Sequence, residues 1–156
     1  MMQLSNDVLK ALSGKTLASA ESITGGGIGA ALTDISGASD VYKGGVICYT
    51  NAVKIRMLGV SDAILAEKGA ICGEVALQMA SGVKTLIEAD VAIAVTGLAG
   101  PGGDEFGNPV GTVYIGYADG SSVDVRKFRF HGDRARVRQQ TIAAALQLIL
   151  EHNPYI

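Results

Sequence analysis

The chain has 156 residues, with 13 basic and 15 acidic side chains and a formal net charge of -2, which argues against a surface that binds nucleic acid as a whole while allowing a local basic patch. Its 48% hydrophobic content is spread in short runs; that pattern excludes a helical membrane span and fits the core of one compact domain. Cys48 and Cys72 lack metal-type spacing and read as two buried, reduced thiols.

From the N-terminus, Met1 to Lys10 has no apolar signal core followed by a small-residue cleavage site, so a cytoplasmic protein is expected. Leu4 to Leu12 predicts a short helix, Thr16 to Ala20 a strand, and Gly25 to Ile35 a helix entered through a glycine turn. Gly45 to Tyr49 predicts the second strand, followed by a short helix from Asn51 to Met57 and another from Ser61, with Asn51 and Ser61 as N-caps. From Glu74 onward, Ala76, Met79, Ala80, Val83, Leu86 and Ile87 recur at helical spacing and predict one apolar face laid on a sheet. Asp90 to Thr96 is a near-continuous apolar run suited to a central strand. The stretch from Gly97 to Pro109 has too many glycines and prolines for either regular element and reads as a long ordered loop. Val110 to Tyr117 and Ser122 to Phe130 alternate around Asp119 and Gly120 as an antiparallel hairpin, and Asp133 to His152 closes the chain as an amphipathic helix.

Ser22 falls between the first strand and the helix opened by Gly25, Gly26 and Gly27, where backbone N-H groups favour negative charge and a serine can acylate beside an oxyanion hole. Tyr49 and Lys54 fall at the end of the second strand and the start of its helix, so in a parallel sheet all three emerge at the carboxyl edge. A lysine partly buried there can lose its proton near neutral pH, since desolvation disfavours the ammonium form, and can then act as the base for serine. Tyr49 is a candidate to relay that proton or to bond substrate. Each residue also has a plainer account: a turn serine, a solvated helix lysine, a half-buried strand tyrosine. Thr96 to Gly103, reading T-G-L-A-G-P-G-G, offers backbone able to wrap a phosphate or a flat ring. Six basic residues cluster between Arg126 and Arg138; Arg138 or Arg134 is suited to a monophosphate, and Arg126, Lys127 and Arg136 fit a solvated face. His131 and His152 have no evident catalytic partners, and Asp104 with Glu105 makes an incomplete metal site, so no metal is expected.

Five fragments together resemble the CinA C-terminal domain family, whose activity is nicotinamide-mononucleotide deamidation: A-E-S-I-T-G-G from Ala20, Y-T-N-A-V-K from Tyr49, T-G-L-A-G-P-G-G from Thr96, P-V-G-T-V from Pro109, and G-D-R-x-x-V-R from Gly132. The resemblance implies a single-domain three-layer α/β/α fold over residues 1–156, built on a mixed, mostly parallel sheet with a C-terminal antiparallel hairpin. It implies hydrolysis of the carboxamide of nicotinamide mononucleotide without cofactor or metal, in a homo-oligomer. It places the catalytic residues on Ser22, Lys54 and Tyr49, and substrate binding on Thr24, Gly25, Gly26, Asn51, Thr96, Gly97, Gly100 and Arg138. Ile23, Cys72 and Asn108 depart from the residues frequent in the family at those positions. Longer members carry a separate N-terminal domain, so the chain resembles the stand-alone form.

Two other classes compete. Gly25, Gly27 and Ala30 satisfy the G-x-G-x-x-A pattern of an NAD(P)-dependent oxidoreductase, but the second strand ends without an acid for a ribose hydroxyl, and Tyr49 and Lys54 are five apart where the short-chain dehydrogenase site uses four. A non-catalytic nucleotide-binding or interaction module would use the same pocket without turnover.

Overall fold

Strand β1 (Leu17–Glu21) is buried at every position, as a strand covered on both faces must be. Its neighbours β2 (Tyr42–Ile47) and β3 (Val91–Gly97) both run parallel to it. Beyond β3 the hairpin of β4 (Thr112–Ala118) and β5 (Val123–Arg129) adds two antiparallel pairings, giving the order β2-β1-β3-β4-β5. The expected mixed, mostly parallel sheet is therefore present: four of its five strands run in one direction, although the pairings themselves divide evenly between parallel and antiparallel. The reason is that the hairpin extends the sheet on the β3 side, leaving β4 as the one strand that runs against the others.

The structure describes residues 1–154 as a computed structural model. Helices α1 (Met2–Ala11), α2 (Gly27–Thr33) and α6 (Arg134–His152) cover one face of the sheet, and α3 (Asn51–Leu58), α4 (Asp62–Lys68) and α5 (Gly73–Ile87) the other. The two-residue alternation of a strand divides the core accordingly. Leu17 joins Val8, Leu12, Ile28 and Leu146 on the first face. Ala18 and Ala20 join Met79, Val83 and Leu58 on the second. No helix among the described residues is long and apolar enough to cross a membrane.

Close approach on the second face depends on Gly82. A Cβ there would run into the backbone of Leu58, where α5 crosses α3. Gly82→Ala is expected to lower unfolding free energy by about 1–3 kcal/mol, the usual range for overpacking, measurable by urea denaturation. A loss near zero would show that the two helices separate freely.

Element boundaries differ from expectation where a non-local partner sets them. The second strand covers Tyr42–Ile47 rather than 45–49, because β1 pairs with it from Leu17↔Tyr42 to Glu21↔Ile47. Helix α2 begins two residues late, because Gly25 and Gly26 take left-handed φ of 58° and 104°. The cap of α3 is Thr50, whose hydroxyl accepts from Val53 N, rather than Asn51; the expected Ser61 cap of α4 is present. Leu86 is exposed at the end of α5, whose fully buried positions end at Val83, with Ile87 half-buried against the same cluster.

Candidate active site

Three parallel strands end side by side, and the chain leaving each one contributes to a cavity of about 500 Å³. Ser22 and Ile23 enter it from β1, Tyr49, Asn51 and Lys54 from the β2–α3 connection, and the stretch from Thr96 to Gly102 from β3. Ala70, Ile71 and Arg134 complete the lining. The order β2-β1-β3 reverses direction of strand addition at β1, so the cavity sits at the switch point where open α/β sheets bind ligands.

At its base Lys54 Nζ lies 2.9 Å from Ser22 Oγ and donates to the Cys48 carbonyl at 2.8 Å. Lys54 is 1% exposed and Ser22 7%. An amine so enclosed pays a desolvation cost for its proton, and no carboxylate pairs with it among the described residues. Burial accordingly lowers its pKa from the ordinary lysine value. The same enclosure pushes the neighbouring Cys48 thiol up. When Lys54 is neutral, one N-H still donates to the Cys48 carbonyl and the nitrogen lone pair can accept from the serine O-H. A pair so placed can act as nucleophile and base.

The other sequence candidates separate into two groups. Asn51, Thr96, Gly97 and Gly100 line the cavity; with Thr50 capping α3, the Asn51 side chain is not used as the cap. Thr96 donates to the Ala70 carbonyl at 2.9 Å, which ties the chain after α4 to the end of β3. Tyr49 stands at the rim, 60% exposed, and its hydroxyl accepts from Arg134 Nη2 at 3.1 Å rather than bonding Ser22 or Lys54. Thr24, Gly25, Gly26 and Arg138 are not among the lining residues. Thr24 is fully buried and donates to Glu21 Oε1 at 2.6 Å. Arg138 donates Nε to the Ile23 carbonyl at 3.2 Å and Nη2 to the Thr24 carbonyl at 3.0 Å. The two glycines of the G-x-G-x-x-A pattern have structural reasons: a Cβ on Gly27 would lie 2.5 Å from Ile142 Cδ1, and Gly25 takes a left-handed φ of 58°.

The arginine that reaches the cavity is Arg134, at the first turn of α6, where it also donates to the Gly100 carbonyl at 2.8 Å. The glycine loop is thus held at several points. Leu98 N donates to Thr112 O, and Gly111 N to Leu98 O. Asp104 accepts from Phe106 N, Asn108 N and Asn108 Nδ2, so its oxygens shape the loop. Glu21 lies one residue beyond the expected strand and carries no signal there; the structure places it inside β1 as a buried carboxylate that accepts from Thr24 Oγ1 and from the amides of Ile28 and Gly29.

A three-layer α/β domain with a serine and a buried lysine at the switch point defines the class of this protein. The family model described as the CinA C-terminal domain matches residues 1–152, and the chain belongs to that family. It is 47% identical over 133 residues to a CinA-like protein of Geobacter sulfurreducens, covering 85% of this chain and 32% of the relative. A CinA-like protein of Thermosynechococcus vestitus is 48% identical over 138 residues, covering 86% of this chain and 33% of the relative. The chain therefore spans about a third of the length of these relatives. Among solved structures, the competence/damage inducible protein of Agrobacterium tumefaciens superposes with TM-score 0.94 at 36% identity, covering 97% of this chain and 94% of that one. Competence damage-inducible protein A of Klebsiella pneumoniae gives TM-score 0.94 at 34% identity, covering 96% and 94%.

Proposed function

We propose that this domain is an amidohydrolase that converts nicotinamide mononucleotide and water to nicotinate mononucleotide and ammonia. The observation that carries the reading is the buried, acid-free Lys54 amine 2.9 Å from Ser22 Oγ at the base of the cavity. Neutral Lys54 takes the Ser22 proton as Oγ attacks the carboxamide carbon, and the resulting ammonium returns it to the departing nitrogen, which leaves as ammonia. The acyl group remains on Ser22 as an ester until water, deprotonated by Lys54, attacks it and regenerates the serine. Atoms balance as one amide and one water giving one acid and one ammonia.

Ser22 N already donates to Val95 O at 3.1 Å, so the oxyanion takes its donors from elsewhere than the nucleophile's own amide. The Ala99 and Gly100 backbone, across the cavity, is the assigned source. Arg134, with Tyr49 and Asn51 at the rim, is assigned to the phosphate. The volume suits a mononucleotide, within the usual range of small-molecule sites.

Ammonia release from nicotinamide mononucleotide, with the acid product identified by mass, tests the reaction. A binding titration with no release would leave a non-catalytic module. Arg134→Ala is expected to raise KM for the mononucleotide by about ten- to a hundredfold, the scale of a lost charge-assisted contact. The nucleoside lacking phosphate should be a poor substrate of the parent and change little further. Equal damage to both substrates would remove Arg134 from phosphate recognition.

A further inference from the structure

The turn that carries Ser22 is held from two sides by opposite charges, and neither charged group lines the cavity. Glu21, 2% exposed, accepts from Thr24 Oγ1 at 2.6 Å, Ile28 N at 2.8 Å and Gly29 N at 3.1 Å. One carboxylate thereby ties the end of β1 to the start of α2 across residues 22–27. Ser19 Oγ, itself 2.7 Å from Tyr42 Oη, also donates to Glu21 Oε2 at 3.4 Å. No cation pairs with Glu21 among the described residues; its charge is met by hydrogen-bond donors alone. Arg138 supplies the converse contacts, donating to the carbonyls of Ile23 and Thr24 and so fastening the same turn to α6.

We infer that Glu21 and Arg138 form a two-sided clamp that positions Ser22 Oγ against Lys54, Glu21 holding the donors of the turn and Arg138 its acceptors. The inference rests on the amidohydrolase reading for its kinetic part and reassigns Arg138 from substrate contact to positioning. A misplacement of about 1 Å in a reacting group costs on the order of a hundredfold in rate, and a glycine-rich turn has little internal stiffness to prevent it. The carboxylate is needed as an all-acceptor group. In Glu21→Gln one oxygen becomes an NH2 that faces an N-H or O-H donor. In Arg138→Lys the charge survives but the fork that spans two successive carbonyls is lost.

The test uses both variants, steady-state kinetics over pH, and amide hydrogen exchange by mass spectrometry. Each variant is expected to lose about ten- to a hundredfold in kcat, consistent with that positional cost, with KM for nicotinamide mononucleotide within about twofold of the parent. The acid limb of kcat/KM should stay where it is, since Lys54 keeps its surroundings. Exchange should rise about tenfold or more in peptides covering residues 22–29 and hold steady in β3 and α5. Parental kcat with only a lower melting temperature would overturn the clamp by making both residues purely structural. A rise in KM at constant kcat would overturn it by placing them on substrate, and a displaced acid limb by making their action electrostatic. If the parent releases no ammonia, the amidohydrolase reading fails separately. Exchange still decides the clamp in that case: unchanged protection at 22–29 in both variants overturns it, and selective loss there supports it.

Discussion

Ser22→Ala is expected to remove about a thousandfold or more of the deamidation rate, the usual loss for a nucleophile whose neighbours remain in place. The substitution deletes one oxygen from a buried turn whose backbone bonds do not involve it: Ser22 N to Val95 O and Gly25 N to Ser22 O both survive. The melting temperature should therefore stay close to the parent's, and mononucleotide binding should persist, because the lining from Thr96 to Gly102 and Arg134 is untouched. Rate assays beside calorimetric binding check both halves. Near-normal turnover would shift the chemistry to a directly activated water.

Replacing Lys54 should be as damaging, and the choice of replacement separates two roles. Lys54→Arg keeps a cation but cannot deprotonate, so it preserves electrostatic attraction and abolishes base catalysis. Lys54→Met keeps the apolar stem and removes both. If Lys54 is the base, each variant falls by about a thousandfold or more, on the scale of losing one member of a catalytic pair. An arginine variant with a tenth of parental activity beside an inactive methionine variant would make Lys54 a fixed cation. Parental kcat/KM should rise with pH through an apparent pKa below that of a solvated lysine, because burial lowers it. Stability follows the same sign. Between the lowered folded pKa and the ordinary unfolded one, the unfolded chain binds the extra proton, so folding strengthens as pH rises through that window. Lys54→Met should flatten this rise, measurable as melting temperature against pH.

Much of this site is legible in the residues themselves because strand, glycine turn and helix follow in order. That pattern brings Ser22, Lys54 and the Thr96–Gly100 stretch to one edge whatever the exact boundaries. What escapes is decided by contacts across the fold. Arg134 and Arg138 are one helical turn apart on α6 and equivalent by spacing, yet the first reaches the cavity and the second the carbonyls of the serine turn. Tyr49 reads as a strand end only while β2 is placed three residues late; pairing with β1 puts the tyrosine beyond the strand, beside Arg134. Glu21 escapes because the first strand was expected to stop at Ala20, and a carboxylate in a loop needs no explanation. Inside the strand it is a buried charge that must find donors, and it finds them in Thr24, Ile28 and Gly29. Thr50 and Asn51 are both good caps, and only the backbone decides which serves α3.

Transfer of the acyl group from the carboxamide to Ser22 separates this pathway from direct hydrolysis, and product partitioning with hydroxylamine distinguishes the two. An acyl ester on Ser22 can be captured by hydroxylamine in place of water. The parent protein should then convert nicotinamide mononucleotide to the hydroxamate and the acid in a ratio that climbs with hydroxylamine concentration, while Ser22→Ala forms neither. Ammonia released with no hydroxamate at any hydroxylamine concentration, together with continued turnover by Ser22→Ala, would contradict the acyl-serine pathway.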